Sequence, residues 1–235
     1  MPGLVVELAG LPGSGKSALA EALVARLRAD GVPCEIGDAI VSARVRREVR
    51  VLRRGALGVA QAARAPVMAW RAAGLIARSG QSSRRDVAAV LAQWLATEHL
   101  AIRGRRASGV RLLEEGLVQT TWTATLRSRD LDAADLWATV PAASRPQLVL
   151  HLDVPVDLAA HRLSSRRSQH SRVQRVAPRR RVAELRRGQA LLDEILRACP
   201  VRVHHLPSYG ETPEELAESA RLALTPLLSG WRADR

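Results

Sequence analysis

Apolar and polar positions follow two rhythms along this chain. Short, nearly continuous apolar runs recur at 4–9, 34–36, 110–113, 147–152 and 201–206, and each reads as a strand of a parallel sheet. Between them the apolar positions take helical spacing. Leu19, Leu23 and Leu27 predict a helix over 17–27. A second helix carries an apolar stripe at Val41, Val45, Val49 and Leu52, with Arg44, Arg46, Arg47, Arg50, Arg53 and Arg54 on its other faces, most of them read as a solvated surface. Alanine-rich helical stretches cover 57–78 and 84–106, and Pro66 kinks or divides the first. Short helices follow at 130–139 and 156–163. Leu185, Leu192, Ile195 and Leu196 mark an amphipathic stretch, and Thr212-Pro213-Glu214-Glu215 opens a last helix that runs to about 228. Strands alternating with helices predict an α/β fold: one domain over 1–235, with a five-stranded parallel sheet flanked by helices.

The first strand leads into Gly10-Leu11-Pro12-Gly13-Ser14-Gly15-Lys16-Ser17, which matches the phosphate-binding pattern G-x-x-x-x-G-K-[ST] at every fixed position. A strand before it and a helix after it supply the context the pattern requires. Glycines let backbone N–H groups turn toward an anion, and the helix N-terminus adds partial positive charge at the same place. Gly10, Gly13, Ser14, Gly15, Lys16, Ser17 and Ala18 are therefore the expected nucleotide contacts. Lys16 is to reach the β- and γ-phosphates of ATP, and the Ser17 hydroxyl is to ligate Mg2+.

Composition changes the picture in two ways. The formal net charge of +13 favours anionic ligands, yet Lys16 is the sole lysine among 36 Lys and Arg residues, and Phe and Asn are absent. Arginine abundance of that kind is what a GC-rich coding sequence produces, so the charge argues only weakly for nucleic acid. Aromatic residues make up 3% of the chain, too few for stacking platforms on single strands. No apolar stretch is long enough to span a membrane and the N-terminus enters a strand directly, so a soluble cytoplasmic protein is expected. Cys34 and Cys199 form no metal pattern and are read as reduced, buried thiols.

Other residues with chemistry to offer lie at predicted strand ends, where ligands of open parallel sheets sit. Asp38 follows the second strand and is read as an acceptor contact or the cap of the next helix. Arg44 and Arg47 lie close enough to join it. Glu114 and Glu115 end the third strand, where a carboxylate either orders the water around Mg2+ or takes a proton from the acceptor; Glu115 is the one suited to cap the following helix. Trp70, Arg71, Gln93, Trp94, Glu98 and His99 are candidate pocket residues, the tryptophans being read first as core. Residues 164–181 turn polar and basic, with Arg162 leading in and Arg166 and Arg172 inside; this stretch is expected to be a mobile, arginine-rich lid, with an RNA-binding tract as the competing reading.

With these residues in place, the chain resembles the thymidylate-kinase-like branch of the P-loop nucleoside and nucleotide kinases. The resemblance rests on residues 10–17, on Leu112-Leu113-Glu114-Glu115-Gly116, and on Leu152-Asp153-Val154-Pro155 followed by Arg162 and Arg166. It implies a P-loop kinase fold with a basic lid, ATP and Mg2+ in a central cleft, and catalytic roles for Lys16, Glu114, Arg162 and Arg166, with Ser17 and Glu114 at the metal. Two departures stand out. Glu114-Glu115 replaces the family's Asp-Arg or Glu-Arg, and Glu35-Ile36-Gly37-Asp38 replaces its Arg-Glu-Pro. Both remove contacts suited to a thymidine monophosphate. The expected activity is transfer of the γ-phosphate of ATP to a small-molecule acceptor through a hydroxyl, with Asp38, Arg44, Arg47 and Glu115 binding that acceptor. The alternatives are a thymidylate-like nucleoside monophosphate kinase and an ATP-binding regulatory or RNA-associated protein. Neither a membrane nor nucleic acid is the expected partner, and a homodimer is left open.

Overall fold

β1 (Leu4–Ala9) is buried along its whole length because it forms the middle of the sheet. The strand order is β2-β3-β1-β4-β5, with β2 (Cys34–Ile36), β3 (Val110–Leu113), β4 (Leu148–Asp153) and β5 (Val203–Pro207). Every neighbouring pair is parallel, and Val6 stands level with Leu112 on one side and Leu148 on the other. The computed structural model describes residues 3–41, 46–126, 128–165 and 178–233.

Parallel pairing forces crossover helices, which cover both faces of the sheet. On one face Leu4, Val6 and Leu8 pack with Leu19, Leu23 and Leu27 of α1 (Lys16–Ala29) and with Leu216, Ala220 and Leu224 of α9 (Pro213–Ala233). The opposite face is covered by α4 (Arg84–Arg106), α5 (Leu117–Thr125) and α8 (Pro178–Ala198), with Trp94, Trp122 and Leu192 in its core. The chain leaves β1 through α1 on the first face and leaves β3 through α5 on the second. The loops after these adjacent strands therefore diverge, which opens a crevice at their carboxyl ends.

Four of the structure's differences from the sequence reading concern helices. The arginine-rich helix, α2 (Arg47–Arg64), starts later than its stripe and runs through the boundary expected near 57; Pro66 divides it from α3 (Pro66–Arg78). Val41 is buried in a short 3-10 turn, whereas Val49 and Leu52 are exposed. Trp70 on α3 is 81% exposed rather than packed in the core, while Trp94 is fully buried. The basic stretch expected as a lid has helical ends: Ser164 and Ser165 finish α7 (Val156–Ser165), and residues 178–181 begin α8. Arg181 Nη1 donates to Ser164 Oγ at 2.9 Å, tying those ends together. Arg166 and Arg172, with the rest of 166–177, lie outside the described residues. The start of α9 carries the capping box read from Thr212 and Glu215, with bonds of 2.8 and 3.2 Å. Among the described residues, no helix is long and apolar enough to cross a membrane.

Candidate active site

The loop after β1 turns through glycines in the left-handed region, Gly13 at φ 88° and Gly15 at φ 102°. A Cβ on Gly13 would come within 2.5 Å of the Ala159 carbonyl oxygen on α7, so this turn needs glycine for space as well as for φ. Lys16 lies back across the loop, its Nζ donating to the carbonyl oxygens of Gly10 at 2.6 Å and Leu11 at 3.1 Å. Ser14 is buried, and Ala18 is exposed in the first turn of α1. Gly15 provides the N-cap position with no side-chain cap, leaving the opening N–H groups of α1 directed out of the helix start.

Two neighbours close on this loop. Ser17 Oγ donates to Glu114 Oε2 at 2.5 Å, joining the helix start to the turn after β3. Arg162 of α7 donates from Nη1 to the Ser14 carbonyl oxygen at 3.2 Å, so it stands at the loop. Lys16 with Ser17, Glu114 and Arg162, from three segments distant in sequence, thus gather at the ends of β1, β3 and β4.

Glu114 and Glu115 part company here. Glu115 Oε2 accepts from Arg54 Nη2 at 2.5 Å, an ion pair reaching across from α2. Arg54 also donates to the Val41 carbonyl oxygen at 3.2 Å and to Gln93 Oε1 at 3.3 Å. Sequence reading placed Arg54 on the solvated face of its helix, and the structure turns it inward. Arg47 is the first residue of α2, and Arg44 lies outside the described residues. Of the pocket candidates on α4, Gln93 joins this group. Glu98 lies deeper, buried against Gln61 Nε2 at 3.1 Å, and burial lifts its carboxyl to about 7 against that hydrogen bond.

Asp38 is 1% exposed and serves the loop itself. Its Oδ2 accepts the Glu115 backbone N–H at 2.7 Å, fixing the turn that carries both glutamates. It does not cap a helix with its side chain, and its Oδ1 is buried without a hydrogen bond. Burial raises the Asp38 carboxyl to about 7; the N–H groups of Glu115 and Glu114 oppose this, and the nearby glutamate charges add to it.

One residue of the cluster was missed by the sequence reading altogether. Glu7, the one charged position in β1, is completely buried, and its Oε1 accepts the Gln119 N–H at 3.0 Å. The carboxyl sits at the N-terminus of α5, the position foreseen for Glu115; Glu115 does not cap that helix. A Cβ on Gly116 would overlap the Glu7 carboxyl, so glycine there lets β1 and the β3–α5 turn meet. Burial pushes Glu7 up to about 8, against the lowering effect of the N–H groups of Gln119, Leu117 and Val118.

A groove of about 540 Å³ between α1 and α9, lined by Ala22, Arg26, Glu214 and Glu218 among others, shares no residue with this cluster. Its walls are outer helix faces, and we assign it no chemistry. Among the described residues no group of three or more His, Cys, Asp or Glu side chains is arranged to hold a metal by itself. Ser17 and Glu114 nevertheless offer two hard oxygen atoms side by side, which suits a Mg2+ that draws its remaining ligands from phosphates and water. No protein-family model matches the chain, and no curated protein matches it.

Proposed function

We propose that this protein is an ATP- and Mg2+-dependent phosphotransferase of the P-loop kinase type, which moves the γ-phosphoryl group of ATP to a hydroxyl of a small acceptor. The observation that carries this reading is the 2.5 Å contact of Ser17 Oγ with Glu114 Oε2. It joins the last residue of a complete G-x-x-x-x-G-K-[ST] loop to a carboxylate from a different strand, at the carboxyl ends of a parallel sheet.

In this reading the loop N–H groups and the start of α1 bind the phosphates. Lys16 turns from the Gly10 and Leu11 carbonyl oxygens toward the β- and γ-phosphates, so the cation that steadies the free loop serves the ligand. Ser17 and Glu114 hold Mg2+, which when bound neutralises the charge of the phosphate oxygens. Arg162 adds charge from the α7 side, next to Ser14. The acceptor enters between α2 and the turn after β3, where Asp38, Glu115, Arg54 and Gln93 stand together. As the acceptor oxygen bonds to phosphorus, the bond from phosphorus to the bridging oxygen breaks and ADP leaves. The hydroxyl proton goes to a carboxylate of this group or to water.

Arg54 supports a second reading, in which the acceptor is a nucleoside monophosphate. A phosphorylated acceptor would compete with Glu115 for that guanidinium. Incubating the protein with ATP, Mg2+ and a metabolite collection, with detection by product mass, tests both readings. Phosphorylated alcohols support the first and nucleoside diphosphates the second. ADP formation with no acceptor product, together with salt-sensitive RNA binding, would replace both with an RNA-associated ATP-binding protein.

A further inference from the structure

β4 and β5 bring His151 and His205 to the same register position. Val149 and Val203, two residues earlier on each strand, pack with Leu192 of α8, so both imidazoles lie on the face that α8 covers. His151 Nδ1 and His205 Nδ1 stand 3.1 Å apart, and the two rings are nearly perpendicular at 85°. His151 is buried between Leu150 and Leu152, and its Nε2 has no hydrogen bond. The fold gains nothing from that nitrogen, because an apolar residue would fill the position without orphaning a buried polar atom.

We propose that the pair is a binding site for a divalent transition metal of the Zn2+ class, held by His151 Nδ1 and His205 Nδ1 and completed by water at the exposed edge strand β5. At a Zn–N distance of about 2.0–2.1 Å, the 3.1 Å separation subtends about 100° at the metal, close to the tetrahedral angle. Burial lowers the His151 imidazole to about 4, helped by His205 and Lys16 and opposed by Asp153 and Asp193. Its ring is therefore neutral near neutral pH and keeps a lone pair for a metal. The same two carboxylates supply negative charge nearby. In the free pair one Nδ1 carries the proton of the contact; the metal takes its place, and that proton moves to the Nε2 of the same ring. His205 is exposed, so water accepts the N–H there. Two protein nitrogens are fewer than the three or four ligands of catalytic and structural zinc sites, which sets the expected affinity in the micromolar range. Imidazole selects Zn2+, Cu2+ or Ni2+ over Mg2+. His151 is level with Ala9 on the β4 side of the phosphate-binding loop, whereas Ser17 and Glu114 meet on the β3 side. The two cation sites are therefore separate.

Calorimetric titration of the untagged full chain with zinc chloride near neutral pH tests this without reference to activity. The wild type should bind Zn2+ with micromolar affinity. His205→Ala removes an exposed side chain, so the fold is kept, and it should weaken binding at least about tenfold. His204→Ala, one residue away on the other face of β5, should bind as the wild type does. Zn2+ should raise the melting temperature of the wild type and of His204→Ala but not that of His205→Ala. Millimolar Mg2+ should not displace it. A wild type that binds no Zn2+ overturns the proposal, and so does binding that is indifferent to His205→Ala or is displaced by Mg2+.

Discussion

Ser17 Oγ and Glu114 Oε2 lie 2.5 Å apart, so the helix after β1 and the turn after β3 meet through a hydroxyl and a carboxylate. In the proposed function that contact assigns Glu114 to the Mg2+ side of the cleft rather than to the groups around Arg54. Glu114→Gln should lower turnover by roughly 10–100-fold through weaker Mg2+ binding. Raising Mg2+ should restore part of the loss. Glu115→Gln should leave the Mg2+ dependence of the rate unaltered. Calorimetric ATP titration and product mass across a Mg2+ series separate these effects; a Glu114→Gln rate deaf to Mg2+ would make Glu114 the proton acceptor instead.

Lys16 Nζ donates to the Gly10 and Leu11 carbonyl oxygens, contacts local to one loop, and in the proposed function its larger role is at the phosphates. Lys16→Ala should retain the native circular dichroism spectrum and lose ~3–4 kcal/mol of barrier lowering, more than two orders of magnitude in rate. Lys16→Arg should also be poor, because a planar fork does not replace a compact ammonium among phosphates. Near-normal turnover in either variant would take the loop out of the mechanism.

Arg54 reaches Glu115 from α2 with both side chains partly exposed, so their ion pair should contribute no more than about 1 kcal/mol to stability. Its effect should appear in acceptor binding. Arg54→Ala is expected to raise the acceptor KM about tenfold or more while the ATP KM stays constant. Combining it with Glu115→Gln should be less than additive, since both changes break one contact. Equal changes in both KM values would assign Arg54 to general folding.

The sheet and the loop were legible because their signals are local. An apolar run bounded by turn residues marks each strand, and β1, β2 and β3 match their predicted spans. The residues missed have partners far away in sequence. Glu7 reads as an interruption in an apolar strand, and its meaning lies in Gln119, 112 positions on. Arg54 is one of many similar arginines, distinguished only when α2 packs on α4. Periodicity identified the apolar stripe at Val49 and Leu52 but carries no information about what covers it. Glu114 was accessible because a carboxylate directly after an apolar strand is itself a local signal, and the contact with Ser17 is what separates it from Glu115.

Glu7 offers the sharpest test of the buried electrostatics. Its carboxyl is completely buried at the first turn of α5, where burial raises it from 4.5 to about 8 although three N–H groups favour the anion. Between those two values the folded chain holds a proton that the unfolded chain has released. The resulting stabilisation is complete below pH 4.5 and is lost as the pH rises toward about 8. Glu7→Gln keeps an oxygen to accept the Gln119 N–H and cannot ionise. Its stability should therefore gain on the wild type with rising pH, by on the order of a few kcal/mol across the whole window. Urea unfolding of both proteins at about pH 5, 7 and 9 measures this. If the two curves instead remain parallel, Glu7 is already ionised in the folded state, and the N-terminus of α5 outweighs burial at this position.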